Sequence, residues 1–145
     1  MKSLFILIAE DDEDDRFLLR TAFEENGFDD QLHFVEDGVE LWSYLKSAAS
    51  GKSVEKIPHF ILLDLNMPKK NGREVLKEIK EVPALRKIPV VVFSTTNNES
   101  EMKRCFDLGA SDYISKPNSY EGLLKTVNAL HQLYIDKLSG KEDAR

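Results

Sequence analysis

The sequence predicts an α/β domain in which helices cover both faces of a parallel sheet. Short apolar runs alternate five times with segments whose apolar residues recur at helical spacing, a pattern typical of strands joined by crossover helices. The run Phe60–Leu63 is continuously apolar, as expected of a strand buried on both faces. It ends in one carboxylate, Asp64, and turn residues follow. In open sheets of this class, ligands bind at the carboxyl ends of the strands.

The composition is that of one acidic domain. The chain has 145 residues, 41% of them apolar, and a formal net charge of −6, which argues against the basic patch of a nucleic-acid-binding surface. No apolar run approaches the roughly 20 residues of a membrane span. The apolar run after Met1 continues into acidic residues without a small-residue cleavage site, so it predicts a strand and not a signal peptide. We therefore expect a cytoplasmic protein with no nucleic-acid partner and no membrane partner.

Strand 1 and helix 1 come first. The strand covers residues 4–9 and runs into six acidic residues, the later of which suit the N-terminus of a helix. Gly27 suits a left-handed position after helix 1, with Phe28 contacting Phe23 in a Schellman ending. The residues expected on the buried side of this helix are Leu18, Leu19, Ala22 and Phe23.

Strand 2 and helix 2 complete the first half of the domain. The strand covers residues 31–36, where the alternation of apolar and polar residues is loose, and we place it near the edge of the sheet. Asp37-Gly38 forms a turn into helix 2. Residues 47–56 are small and polar, which predicts an exposed loop. The expected inner face of the helix is Leu41, Trp42, Leu45, Ala48 and Ala49.

The second half continues the alternation. Helix 3 is predicted over residues 72–80, strand 4 over 90–93, helix 4 over 99–108 and strand 5 over 112–115, and Ser119 begins helix 5. The single cysteine, Cys105, cannot form an internal disulfide and is expected to pack in helix 4. The expected core residues of these helices are Val75, Leu76, Ile79, Met102, Cys105, Phe106, Leu123, Leu124, Val127, Leu130, Leu133 and Tyr134.

One domain is expected over residues 1–138, followed by a flexible charged tail over 139–145. Helix 5 is long, and Tyr134, Ile135 and Leu138 extend its apolar side. This surplus is consistent with a homodimer contact; fraying, or packing against the domain's own core, is the alternative.

Right-handed crossovers place all carboxyl ends of the strands at one edge, and that edge collects charged and polar residues. Strand 1 delivers Glu10 and Asp11, strand 3 Asp64, strand 4 Ser94 and strand 5 Lys116. Three close carboxylates repel one another unless a cation joins them or one stays protonated, and Mg²⁺ prefers such oxygen ligands. A lysine and a hydroxyl facing the same point suit a phosphoryl group. The predicted chemistry is phosphoryl transfer to Asp64.

These residues resemble the signature of response-regulator receiver domains of the CheY-like type. The matching segments are Glu10-Asp11, Asp64-Leu-Asn66-Met-Pro68 with Gly72, Ser94-Thr95, and Asp112-Tyr113-Ile-Ser-Lys116-Pro117. The resemblance extends over nearly the whole chain. It implies a flavodoxin-like fold with strand order 2-1-3-4-5 and a role in two-component phosphorelay signalling. It also implies that the chain is not an enzyme but a phosphoacceptor that assists its own phosphorylation and dephosphorylation.

The resemblance also implies a metal site. Asp11 and Asp64 ligate Mg²⁺ in such a domain, and the backbone carbonyl of Asn66 completes the protein ligands. Glu10 acts mainly through water. Glutamate stands at position 10 where the family commonly has aspartate, and the longer side chain is expected to be tolerated.

The same resemblance implies a phosphorylation switch. A histidine kinase or phosphotransfer protein phosphorylates Asp64, and Ser94 and Lys116 bind the phosphoryl oxygens. Ser94 moves toward this group, and the aromatic switch Tyr113 fills the vacated space from an exposed rotamer. The surface formed by helix 4, strand 5 and helix 5 changes as a result. The bond between Lys116 and Pro117 is expected to be cis.

Within the family, two segments resemble single-domain regulators that pair with bacteriophytochromes. They are residues 66–74 and 94–99, and the long loop before Ile57 fits the same subgroup. A bacteriophytochrome kinase is therefore the expected partner.

Two alternatives compete with this hypothesis. A phosphatase of the haloacid dehalogenase type also uses an Asp nucleophile after a strand, but its second acid is replaced here by Asn66. A pseudo-receiver, which binds partners without being phosphorylated, is disfavoured by the presence of Asp11, Asp64 and Lys116 together.

Lys69, Lys70 and Arg73 are expected to form a solvated face.

Overall fold

A computed structural model of the chain describes residues 3–139. Five parallel strands form one sheet in the order β2-β1-β3-β4-β5, which confirms the expected fold class and strand order. The strands are β1 (Phe5–Ala9), β2 (Gln31–Val35), β3 (Phe60–Leu63), β4 (Val90–Ser94) and β5 (Asp112–Ser115). The helices are α1 (Glu13–Glu25), α2 (Gly38–Ser50), α3 (Gly72–Glu81), α4 (Glu99–Asp107) and α5 (Tyr120–Ser139). The predicted tail lies outside the described residues, except for the backbone of residue 139.

The sheet separates two apolar clusters. Ile61 and Leu63 of β3 face a cluster that includes the inner sides of α2 and α3. Phe60 and Leu62 face the opposite cluster, which includes the inner sides of α1 and α5. Each of these four side chains is at most 1% exposed. Burial of one such side chain contributes about 1.5–3 kcal/mol, so β3 is continuously apolar because both of its faces lie in a core.

The two ends of α1 follow from its sequence. The Asp12 side chain caps the start by accepting hydrogen bonds from the N–H groups of Asp14 and Asp15. At the other end Gly27 has φ 76°, and the N–H of Phe28 donates to the carbonyl of Phe23 at 3.3 Å. The Phe23 and Phe28 rings lie 6.5 Å apart, edge to face. The predicted Schellman ending is confirmed.

Three expectations about the helices were wrong. Leu18 is 39% exposed and Phe106 45% exposed, although both were expected in the core. Successive helical residues rotate by about 100°, so the faces centred on Leu19 and Cys105 leave these two neighbours at the side. The expected loop from residue 47 starts late, because α2 continues to Ser50 and ends at Gly51, whose φ is 68°.

The end of α5 packs mainly within the domain. The ring of Tyr134 stacks on Phe60, with ring centroids 4.3 Å apart, and Ile135 packs against the same apolar cluster. The side chain of Leu138 lies outside the described residues. No helix between residues 3 and 139 combines the length and the apolar character needed to cross a membrane.

Gly38 joins the start of α2 to the loop that follows β3. Its N–H donates to the carbonyl of Pro68 at 3.4 Å. A Cβ at this position would lie 1.9 Å from the carbonyl oxygen of Lys70. The sequence predicted only a turn here, but the glycine also provides the space in which the two segments meet.

We expect Gly38→Ala to lower the free energy of unfolding by about 3 kcal/mol or more, because the added methyl group has no space. The matched control is Gly51→Ala at the other end of α2, where no atom lies within 4 Å of an added Cβ. That change forces a left-handed alanine and should cost only about 1 kcal/mol. Urea unfolding compares the two variants, and equal losses would contradict the proposed crowding at Gly38.

Candidate functional site

The register of β1 and β3 brings acidic residues together at the carboxyl edge of the sheet. Ala9 and Leu63 are paired residues, and the N–H of Asp64 donates to the carbonyl of Ala9 at 3.0 Å. The next residues of the two strands, Glu10 and Asp64, therefore lie side by side. Carboxylate oxygens of Glu10, Asp11 and Asp64 all lie within 4.8 Å of one another.

Lys116 reaches this acidic cluster from the end of β5. Its Nζ lies 2.7 Å from Oε1 of Glu10 and 3.5 Å from Oδ2 of Asp64. The backbone N–H of Lys116 donates to the carbonyl of Ser94 at 2.7 Å, which fixes the base of the long side chain. The structure therefore brings Glu10, Asp11, Asp64 and Lys116 together as the sequence predicted.

Asp15 also belongs to this group of charges, although it was not among the predicted site residues. Its Oδ2 lies 3.4 Å from Nζ of Lys116. The sequence pattern indicated only a helix N-terminus for Asp15. The available signal was its position, because the first turn of α1 starts directly beyond the strand edge and its acids therefore border the site.

Burial controls the protonation of Glu10, which is 1% exposed. The pKa of Glu10 is raised from its usual 4.5 to about 7, mainly because burial removes solvent; the hydrogen bond and charge of Lys116 oppose this rise, and the charge of Asp64 adds to it. Burial opposes the charged form of Lys116, but its hydrogen bond to Glu10 and the neighbouring carboxylates raise the pKa of its ammonium overall. Lys116 therefore stays charged, whereas Glu10 changes its protonation state near pH 7.

The three clustered carboxylates fit a hard divalent cation. Their oxygens are close enough to share one ion, and oxygen is the donor type that Mg²⁺ and Mn²⁺ prefer. A bound cation would favour the ionised form of each carboxylate, Glu10 included. The site is thus short of positive charge with Lys116 alone.

Ser94 and Tyr113 are connected through the backbone of Thr96. Ser94 is buried, and its Oγ accepts a hydrogen bond from the Thr96 N–H at 3.2 Å. The hydroxyl of Tyr113 donates to the Thr96 carbonyl at 2.7 Å, and the ring is 7% exposed. Tyr113 therefore lies in the inward position, which differs from the exposed starting rotamer expected from the sequence.

The loop after β3 is closely packed around Asp64. The N–H of Asn66 donates to Oδ1 of Asp64 at 3.1 Å, and the Asn66 side chain is exposed. A Cβ on Gly72 would lie 2.9 Å from the Cα of Leu65, so a larger residue would displace this loop. Lys69 adopts a left-handed φ of 70°.

The cis bond expected between Lys116 and Pro117 is wrong. Every peptide bond of the described residues is trans. The trans form of a bond preceding proline is favoured by about 0.5–1 kcal/mol. The trans bond is compatible with both the Lys116–Ser94 backbone hydrogen bond and the approach of Nζ to Glu10, so no contact of the site requires the cis form.

The expected solvated basic face is correct only for Lys69, whose side chain is 67% exposed. Lys70 pairs with Glu78 at 2.7 Å, and its side chain is 22% exposed. Arg73 forms an ion pair with Glu101 and so links the first turn of α3 to the first turn of α4.

A pH-dependent stability follows from Glu10. Because its folded pKa is raised to about 7, the folded state holds a proton that the unfolded chain releases near pH 4.5. Stability without divalent cations should therefore fall as the pH rises from about 4.5 to about 7. Glu10→Gln keeps a neutral group, so it should remove this loss and be more stable than the native chain above pH 7.

The measurement is urea unfolding in EDTA between pH 4 and 8. Glu81→Gln, the same change at an exposed position of α3, is the control and should follow the native profile. Parallel profiles for Glu10→Gln and the native chain would contradict the assignment. Added Mg²⁺ should reverse the order of stability above pH 7, because the variant loses one carboxylate of the cluster.

Comparisons with known proteins identify the family of the chain. The sequence profile of the response regulator receiver domain matches residues 6–128. Response regulator Rcp1 of Synechocystis sp. is 34% identical over 134 residues, which are 92% of this chain and 90% of that protein.

Two solved structures are also similar. The structure of the phosphorylated cyanobacterial phytochrome response regulator RcpA has a TM-score of 0.84 at 35% identity, covering 94% of this chain and 96% of that chain. The Mn²⁺-bound form of response regulator Rcp1 has a TM-score of 0.77 at 35% identity, over 88% of this chain and 91% of that chain. The profile reaches from β1 into α5 and includes the acidic cluster and Lys116, so the chain belongs to the response regulator receiver domain family of two-component signalling.

Proposed function

We propose that Asp64 accepts a phosphoryl group from a histidine kinase or phosphotransfer protein, with Mg²⁺ as the cofactor. The observation that carries this proposal is the position of Lys116, whose Nζ lies 3.5 Å from Oδ2 of Asp64. A fixed ammonium beside a carboxylate at a strand end can bind the anionic oxygens of a group attached to that carboxylate. Membership of the receiver family supports the same role, because phosphorylation of an aspartate is typical of the family.

The acidic cluster is the proposed metal site. Receiver domains bind divalent metal, and the similar protein Rcp1 has a Mn²⁺-bound form. We assign Asp11, Asp64 and the Asn66 carbonyl as protein ligands, with Glu10 acting mainly through water. When bound, Mg²⁺ supplies positive charge to the oxygens of the transferring phosphoryl group.

The transfer needs few groups from the protein. The carboxylate of Asp64 forms a bond to phosphorus while the bond from phosphorus to the histidine nitrogen breaks, and that nitrogen keeps the electron pair. The product is an aspartyl phosphate. Lys116 donates a hydrogen bond to a phosphoryl oxygen and offsets part of its charge. The domain thus assists its own phosphorylation without acting as an enzyme on another molecule.

The output is proposed to pass through Ser94 and Tyr113. The oxygens of the phosphoryl group would accept a hydrogen bond from the Ser94 hydroxyl, whose Oγ now accepts one from the Thr96 N–H. Movement of Ser94 would displace Thr96 and with it the partner of the Tyr113 hydroxyl, so the surface of α4, β5 and α5 changes. Moving such an equilibrium from 1:99 to 99:1 takes about 5.5 kcal/mol.

A phytochrome-type histidine kinase is the proposed partner. Support comes from RcpA, a phytochrome response regulator that is 35% identical and covers 94% of this chain. The segments at residues 66–74 and 94–99 pointed to the same subgroup. A homodimer through α5 stays a prediction, since Tyr134 and Ile135 pack on the domain's own core.

Asp64→Asn should abolish the mass gain of one phosphoryl group that acetyl phosphate and Mg²⁺ produce in the native chain, because an amide oxygen does not form the acyl phosphate. Asp107→Asn is a suitable control, since Asp107 is exposed on α4 and makes only a long surface contact, of 3.9 Å, with Lys103. It should be labelled at the native rate. Intact-protein mass spectrometry measures both, and labelling of the Asp64 variant would refute the assignment.

Ser94→Ala should still be phosphorylated but should lose the conformational response. The native chain should show shifted Tyr113 ring resonances on phosphorylation. The variant should not, because it has no Ser94 hydroxyl whose movement could displace Thr96. Thr95→Ala removes the adjacent, exposed hydroxyl and should respond like the native chain. A full Tyr113 shift in the Ser94 variant, followed by NMR, would contradict the proposed switch.

A further inference from the structure

Lys116 faces a carboxylate that is not part of the acidic cluster. Oδ2 of Asp15 lies 3.4 Å from Nζ of Lys116, and the Asp15 side chain is 41% exposed. The carboxylates whose oxygens lie mutually within 4.8 Å are Glu10, Asp11 and Asp64. Asp15 therefore contacts the lysine without sharing the position of a cation.

The start of α1 fixes the place of this carboxylate. Oδ1 of Asp12 accepts hydrogen bonds from the N–H groups of Asp14 and Asp15, at 2.8 and 3.3 Å. This cap holds the first turn at the strand edge, with Asp15 next to Lys116. The carboxylate of Asp14 is exposed and makes no ion pair within residues 3–139. Two acids of one helical turn thus differ in whether they contact the lysine.

The ammonium of Lys116 has three N–H donors, and each of its acidic neighbours competes for them. Glu10 makes the shortest contact, at 2.7 Å, and its other oxygen accepts from the Asp12 N–H. A phosphoryl group on Asp64 adds about −1.5 to −2 charge and new acceptor oxygens. Movement of Nζ toward these oxygens lengthens its 3.4 Å contact with Asp15, and the charge of Asp15 repels the incoming anion at the same time.

We propose that Asp15 is a positioning residue for Lys116 that competes with the phosphoryl group, and so weakens the retention of a phosphoryl group at Asp64. This inference rests on the proposed function of Asp64. Asp15 contacts the lysine before phosphorylation, and this contact forms again after the phosphoryl group is lost. Removal of its charge should therefore favour the state in which Lys116 binds the anion.

The test is calorimetric titration of the full chain with beryllofluoride, a phosphoryl mimic, at saturating Mg²⁺. Asp15→Asn should bind the mimic about 2- to 5-fold more tightly than the native chain, the range expected for a partly exposed charge contact. Asp14→Asn removes the same charge one residue away and should leave the affinity unchanged. Asp15→Glu keeps the charge and should bind like the native chain.

Salt separates an electrostatic role from a structural one. The ratio between the Asp15→Asn and native affinities should fall toward one as NaCl rises from 50 mM to 1 M, because screening weakens the repulsion and the competing contact. A ratio that does not change with salt would overturn the inference, and so would an equal gain in Asp14→Asn. The same holds if Asp15→Asn binds no more tightly than the native chain.

The two proposals fail in different ways. If the native chain does not bind beryllofluoride in the presence of Mg²⁺, the proposed function is wrong and the role of Asp15 is lost with it. If the native chain binds the mimic but Asp15→Asn shows no gain, only the role of Asp15 is wrong.

Discussion

Repulsion among Glu10, Asp11 and Asp64 is the constraint on which the site depends. Backbone hydrogen bonds between β1 and β3 fix these acids next to one another, and the two apolar clusters stabilise that sheet. Burial disfavours the charged form of Glu10, and the charge of Asp64 adds to this effect, so the pKa of Glu10 rises to about 7. Lys116 offsets only part of the negative charge. The fixed carboxylate oxygens favour the binding of a divalent cation. Without the cation, the same excess of negative charge destabilises the domain.

The surrounding segments keep the acids in place. Gly38 lets the start of α2 approach the loop after β3, and Gly72 lets the start of α3 lie against Leu65. Both contacts involve backbone atoms, so neither can be relieved by a change of rotamer. Asp64 is therefore supported from both sides of its loop. This rigidity fits the proposed role of the site, because a misplacement of about 1 Å can cost a factor of about 100 in the rate of a positioned reaction.

Much of this arrangement could be predicted from the sequence because it depends on backbone order. The continuous apolar run of β3 indicated that this strand is buried on both faces. Parallel strands then place Glu10, Asp64 and Lys116 at one edge of the sheet. Contacts that depend on side-chain direction could not be predicted. Helical spacing alone did not locate the centre of the buried face of α1, so Leu18 was misplaced. The sequence predicted an acidic N-terminus for α1, but the approach of Asp15 to Lys116 depends on the direction of both side chains.

Thr96 connects Ser94 to Tyr113 through its own N–H and carbonyl groups. The side chain of residue 96 makes neither contact. Nearly any amino acid at position 96 can therefore preserve these two backbone hydrogen bonds, so they do not restrict the side chain at this position. Proline is the exception, because it has no N–H to offer Ser94. Divergence at position 96 among related chains would thus be compatible with the proposed coupling between Ser94 and the Tyr113 ring.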